Sequence, residues 1–210
     1  KKSSADFRCQ PLTRLMKIYF DGDSFTKGTE LIDRDKTRFS RLISDHYKTQ
    51  EYNFAESGSC NGGIVRRLVV ENNIKEYDLA VIQMSLPVRW EYYDGEKYKT
   101  LRQRDFMEFK RFYLKNVYHD KFGNDYEYLY YQAIKDHCNV NNIPLVITTN
   151  RSYKYYHHPM KLKHKHELSD KRINFDLYLE KYPRANFGHP NEKGHRMIAD
   201  DLIGIIDNLL

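Results

Sequence analysis

Long hydrophobic runs are missing from this chain. Its most apolar stretch, Leu79 to Val88, is interrupted by Gln83 and Ser85, and a membrane helix needs about 20 apolar residues, so no membrane span is expected. The first fifteen residues are polar and mixed, so no signal peptide is expected either. Cysteine is scarce: Cys9, Cys60 and Cys138 are an odd number at wide spacing, with no Cys-x-x-Cys pair. That excludes a disulfide framework, gives no zinc signature and fits a reducing compartment. No internal repeat and no linker divides the chain. Charge of one sign is not dominant, because 35 Lys and Arg stand against 29 Asp and Glu for a net charge of +6. Such an excess reads as a solvated surface, and nucleic-acid binding is not expected.

Aromatic residues are plentiful, with 18 Tyr and 11 Phe among 210 residues, which sets the chain apart from disordered sequences. The length suits one domain. Residues 1–15 read as an arm and 16–210 as the folded unit. Lys17–Phe20 is a short β-rich run closed by the turn-prone Asp21-Gly22-Asp23-Ser24. Arg34–Tyr47 carries Phe39, Leu42, Ile43 and Tyr47 at helical spacing. Tyr52–Ala55 reads as a second strand, followed by a helix with Ile64, Leu68 and Val69. Leu79–Met84, apolar on both faces, reads as a central parallel strand stopped by Pro87. A polar, aromatic loop is expected over 88–100, helices near 103–118 and 124–141, and a strand over Ile143–Thr149. A long polar segment then leads to a helix near 171–181. The last helix begins near Asn191 and points Met197, Ile198, Leu202, Ile205 and Ile206 at the core. Strands alternating with helices predict a parallel sheet covered on both faces, a single α/β sandwich.

Functional groups in such a sheet gather at the carboxyl ends of the strands. Ser24 follows the first strand on a tight turn, which exposes its hydroxyl and aims its own N–H into the same space. That geometry suits a nucleophile, but taken alone it reads first as an ordinary Gly-Asp turn with a helix-capping serine. Gly58, in Glu56-Ser-Gly-Ser-Cys-Asn-Gly-Gly63 after the second strand, lets the backbone approach a ligand; the Walker phosphate-loop spacing is absent. His189 precedes Pro190, which holds its backbone extended, and Asn191 is a natural helix cap. The imidazole is thus placed as a general base at a helix entrance. His195 reads as structural. His157, His158, His164 and His166 suggest a metal tract, but the interleaved lysines favour a solvated loop, and no metal site is assigned.

Gly22-Asp23-Ser24, Ser57-Gly58 and His189-Pro190-Asn191, in this order and spacing, resemble the SGNH (GDSL-type) hydrolase superfamily over about residues 16–210. The resemblance implies a flavodoxin-like three-layer α/β/α sandwich with a central parallel sheet. It also implies ester hydrolysis through an acyl-enzyme, without metal or cofactor. By that match Ser24 is the nucleophile, His189 the base, and the amides of Ser24 and Gly58 are oxyanion donors, while Asp23 shapes the turn. The family places an aspartate three residues before the histidine; here that position is Asn186. An asparagine can orient an imidazole without stabilising its charged form, and Asp176 or Glu180 are other sources of a carboxylate. The family's Gly-x-Asn-Asp block is replaced by Gln83-Met-Ser-Leu-Pro-Val-Arg-Trp-Glu91, which resembles variants found in phages and other viruses. Ser85 is then the nearest replacement oxyanion donor. Arg89 can hold the loop, bind an anionic substrate group, or pair with Glu91. Trp90, Tyr92 and Tyr93 can stack on sugar rings. The expected activity is serine-esterase cleavage of a small ester or an O-acetyl group on a glycan, in a cytoplasmic or virion-associated protein. The competing expectation is a degenerate SGNH domain that binds glycans or serves as a virion structural module.

Overall fold

The computed structural model describes residues 15–101, 112, 115–116, 119–149, 182–186 and 188–210. In chain order the strands are β1 (Ile18–Asp21), β2 (Glu51–Asn53), β3 (Leu79–Met84), β4 (Trp90–Tyr93), β5 (Tyr98–Leu101) and β6 (Leu145–Thr149). The α-helices are α1 (Ser24–Lys27), α2 (Arg34–Thr37), α3 (Phe39–His46), α4 (Asn61–Arg66), α5 (Asp120–Val140) and α6 (Glu192–Asp207). Four strands form one parallel sheet in the order β2-β1-β3-β6. Its register aligns Ile18 with Glu51 and with Leu79, and Ala80 with Leu145.

Alternation along the strands divides the core in two. Ile18, Phe20, Leu79, Val81 and Val146 face α3 and α6, meeting Phe39, Ile43, Ile198, Leu202 and Ile206. Tyr19, Ala80, Ile82, Met84, Leu145 and Ile147 face α4 and α5, meeting Ile64, Leu68, Tyr131, Ile134 and Cys138. With both faces covered, the fold is the three-layer α/β/α sandwich expected from the alternation of strands and helices. Among the described residues, no helix is long and apolar enough to cross a membrane.

Several local expectations change. The segment 88–100 contains an antiparallel hairpin, β4 with β5, pairing Trp90 with Leu101 and Tyr93 with Tyr98. Its turn is set by Asp94, whose carboxylate accepts from the N–H groups of Glu96 and Lys97 at 3.0 and 2.9 Å. The helix expected over Arg34–Tyr47 breaks at Arg38, which is extended at φ −67°, ψ 147°. That break lets the Arg38 guanidinium fork onto Glu51 at 2.7 and 2.6 Å, fixing the start of β2. Met197 is 42% exposed rather than buried, because the stripe of α6 runs through Ile198, Leu202 and Ile206. Val69 is likewise exposed. The helix near 103–118 (apart from three residues), the polar segment after 150, the helix near 171–181 and most of the arm lie outside the described residues.

Candidate active site

The turn after β1 is built around a side chain from the neighbouring strand. Gln83, buried in β3, accepts at Oε1 from the N–H groups of Asp23 (3.3 Å) and Thr26 (3.2 Å) and from the Thr26 hydroxyl (2.8 Å). Its Nε2 donates to Asp23 Oδ1 at 2.9 Å. Gly22 permits this closeness, since a Cβ there would lie 2.8 Å from Gln83 Cβ and 2.5 Å from Thr26 Oγ1. Asp23 caps α1 by accepting from the Phe25 N–H at 3.0 Å. Ser24 is therefore the first residue of a one-turn helix at the carboxyl end of the sheet, 6% exposed. Among the described residues, neither its hydroxyl nor its N–H makes a hydrogen bond.

The loop after β2 is tied to that turn by the Glu56 N–H, which donates to the Gly22 carbonyl at 3.3 Å. Gly58 lies in this loop at φ +81°, a conformation that favours glycine, and its N–H also has no partner among the described residues. Cys60 caps α4, its thiol accepting from the Gly63 N–H at 3.4 Å; burial pushes its pKa up, so it is a poor thiolate. Beneath the loop, Arg67 forks onto Asp21 at 2.7 and 3.0 Å and reaches Ser59 Oγ at 2.9 Å. Arg67 opens a five-residue π-turn, Arg67–Glu71, a distortion often found near functional sites.

Ser85, Arg89 and Trp90 turn out to be occupied. The Ser85 N–H donates to Asn61 Oδ1 at 2.6 Å, and its hydroxyl lies 2.6 Å from the Ser59 carbonyl and 3.2 Å from Asp23 Oδ2. Both of its donors are taken by the protein, which leaves neither for an oxyanion. Arg89 does not pair with Glu91, which is held by Arg66 at 2.8 and 3.0 Å. Instead Arg89 Nη1 points inward onto Asp23 Oδ2 (2.7 Å), Ser85 Oγ (2.9 Å) and the Ser59 carbonyl (3.2 Å). These contacts tie the 85–89 loop to Asp23 and to the Ser59 carbonyl. Trp90 stacks on Phe122 at 5.8 Å and packs edge-on to Tyr126 at 5.5 Å, so one face of its ring is covered by the protein.

The histidine loop precedes α6. Its chain turns back on itself through the Ala185 N–H to the His189 carbonyl (2.8 Å), with Gly188 at φ +93°, and Asn191 caps the helix at the Gly194 N–H (2.9 Å). The His189 ring lies 5.5 Å from the ring of Phe25, the residue after Ser24. Its Nδ1 is 2.5 Å from Glu30 Oε2, which also accepts from the His189 backbone N–H at 3.1 Å. Asn186 sits exposed in the turn and makes no hydrogen bond among the described residues. The physical reason is the turn itself, which carries residue 186 outward while Glu30 arrives from the loop after α1. Asp176, Glu180 and the four-histidine tract lie outside the described residues. His195 is fully buried, accepts from the Phe39 N–H at 3.1 Å, and has its pKa pushed down to about 4, by burial first and by the nearby His189 second. It is structural.

Among solved structures, this arrangement matches TesA with a TM-score of 0.61 at 10% identity, covering 92% of this chain and 99% of that one. A GDSL-like lipase from Bacteroides thetaiotaomicron matches with a TM-score of 0.56 at 14% identity, over 95% and 92% of the two chains. The fold is that of the SGNH hydrolases. A two-domain esterase active on acetylated mannans, co-crystallised with mannopentaose, matches with a TM-score of 0.54 at 13% identity. That match covers 91% of this chain and 49% of the esterase. No family model and no curated protein sequence matches the chain.

Three residues at this site escaped the sequence reading. Gln83 was visible as a polar side chain inside a strand buried on both faces, where it must find hydrogen bonds. Glu30 and Arg67 gave no signal, because each acts on a residue distant in sequence.

Proposed function

We propose that the chain is a serine esterase of SGNH type. The observation that carries this reading is Ser24: a buried serine at the carboxyl end of β1, its hydroxyl and N–H both without a hydrogen bond among the described residues, with His189 packed against the next residue. Ser24 Oγ attacks the ester carbonyl, and its proton passes to His189 Nε2. The oxyanion is held by the N–H groups of Ser24 and Gly58. His189 then gives the proton to the leaving alcohol as the C–O bond breaks, leaving an acyl-Ser24 ester. Water, deprotonated by His189, attacks that ester; the acid leaves and Ser24 regains its proton. Ser24 and His189 make no direct hydrogen bond here, as is common before substrate draws such groups together.

An acetyl ester on a carbohydrate is the substrate class we favour, on the analogy of the mannan esterase with the same fold. The rival reading, a glycan-binding or virion structural module that has lost catalysis, gains weight if no carboxylate reaches His189; Glu30 does reach it. Hydrolysis of p-nitrophenyl acetate by the wild type and Ser24→Ala, from pH 5 to 9, tests the proposal. Turnover lost in the variant supports it, and equal rates in both would leave the binding module as the better account. Acetate release from acetylated glycans tests the substrate class.

A further inference from the structure

We infer that Glu30 is the residue that orients His189, so that the working set is Ser24, His189 and Glu30, and the position three residues before the histidine has no role. The kinetic part of this inference rests on the esterase reading; the pairing itself is geometric. Glu30 Oε2 receives two donors from one residue, His189 Nδ1 at 2.5 Å and the His189 backbone N–H at 3.1 Å. The first fixes the ring and the second fixes the backbone that carries it. An ionised carboxylate only accepts, so Nδ1 carries the hydrogen and Nε2 keeps the lone pair that a general base needs.

Both partners are largely withdrawn from water, with side-chain exposures of 21% for His189 and 14% for Glu30. The full charge of Glu30 there would stabilise the imidazolium formed as Ser24 gives up its proton, which a neutral asparagine cannot do. The backbone points the same way. Glu30 has φ +74°, a left-handed conformation that a non-glycine residue holds only when its surroundings impose it. Gly28, at φ +76°, ends α1 and begins the reversal that brings Glu30 back over the histidine loop. Glu30 is six positions from Ser24 in the chain and 159 from His189. Asn186, by contrast, is exposed and unbonded among the described residues.

The test compares the wild type with Glu30→Gln, Asn186→Ala and His189→Gln, using p-nitrophenyl acetate kinetics and the imidazole N–H proton resonances. Glu30→Gln should lower kcat by about 10³–10⁴-fold with KM within about threefold, and Asn186→Ala should leave both unchanged. A strongly deshielded Nδ1–H resonance should be present in the wild type and Asn186→Ala, and lost in Glu30→Gln and His189→Gln. A Glu30→Gln enzyme within about tenfold of wild type, or an Asn186→Ala enzyme as impaired as Glu30→Gln, would overturn the assignment. If the wild type shows no turnover, the esterase reading falls and the resonance decides the pairing alone. Its persistence in Glu30→Gln then overturns it, and its loss there supports it.

Discussion

Gln83 holds the Asp23-Ser24 turn more directly than any residue within the turn, and Gln83→Leu measures how much. Leucine is close in volume and suits a strand buried on both faces, so the change removes hydrogen bonds without opening a cavity. It leaves the N–H groups of Asp23 and Thr26 without the acceptor at 3.3 and 3.2 Å, and the Thr26 hydroxyl, now 2.8 Å from that oxygen, free to rotate. Two stranded buried N–H groups at about 1–3 kcal/mol each put the loss at roughly 2–6 kcal/mol. For a domain of this size about 1 kcal/mol corresponds to 2–4 °C, so Tm should fall by roughly 5–20 °C, with the urea midpoint falling in parallel. Gln83→Glu sharpens the test, because it keeps the acceptor but sets a second carboxylate 2.9 Å from Asp23 Oδ1. Two carboxylates at that distance cannot both be ionised cheaply, so this variant should be weak at pH 8 and recover toward pH 5. A Gln83→Leu protein within about 1 kcal/mol of wild type would refute the reasoning, since the two amides would then have found other partners.

Three further outcomes follow from the same geometry. Gly194→Ala would place a Cβ 2.2 Å from the Pro183 carbonyl oxygen and 3.1 Å from Pro190 Cβ; it should cost about 3 kcal/mol in urea denaturation and depress turnover by shifting the His189 loop. The buried His195, with its pKa lowered to about 4, stays neutral while the unfolded chain takes up a proton near 6.5. Its contribution is therefore complete above pH 6.5 and is lost as pH falls toward 4, by about 3 kcal/mol in all, and His195→Gln should flatten that slope of stability against pH. Glu30→Gly relieves a left-handed conformation worth about 1–2 kcal/mol while removing the carboxylate. Its urea stability should stay within about 1 kcal/mol of wild type although its turnover drops as in Glu30→Gln, a pairing that a purely structural Glu30 would not give.

The layers of the molecule were legible because they depend on local pattern. Leu79–Met84 emerges with the bounds expected from its continuous apolar run, and β1 is displaced by a single residue. Asn191 caps α6 as its position before the helix implied. The hairpin at 90–101 replaces the expected loop, although Asp94-Gly95 does separate two runs rich in aromatic and β-branched residues. Other features are set by tertiary contacts that no window of sequence contains. Arg38 interrupts a helical pattern because Glu51 draws its side chain, and Arg67 looks like any helix arginine until Asp21 receives it. Glu30 follows Gly28-Thr29 with nothing to distinguish it, since its partner is 159 residues away and a left-handed φ at glutamate has no compositional mark.

Where the orienting carboxylate sits changes what must be held together for catalysis. An acid three residues before His189 would share its loop, and the acid–base pair would survive any movement of that loop. Here the proposed acid belongs to the segment that follows the nucleophile, so one short stretch from Asp23 to Glu30 carries both Ser24 and the group that aims the base. That stretch is anchored to β3 through Gln83 and to the histidine loop through Glu30. On the proposed mechanism, His189 becomes competent as a base only when the loop before α6 is docked against that stretch. Docking depends on the two bonds to Glu30, the contact between His189 and Phe25, and the close approach of Gly194 to Pro183. Loops of this kind can open below the free energy of global unfolding, and on the proposed mechanism such an opening would separate base from both nucleophile and acid at once. Activity should accordingly be lost on warming before the sheet melts, with loss of the deshielded Nδ1–H resonance as its signature. A resonance that lasts to the global Tm while activity declines earlier would place the weak point elsewhere.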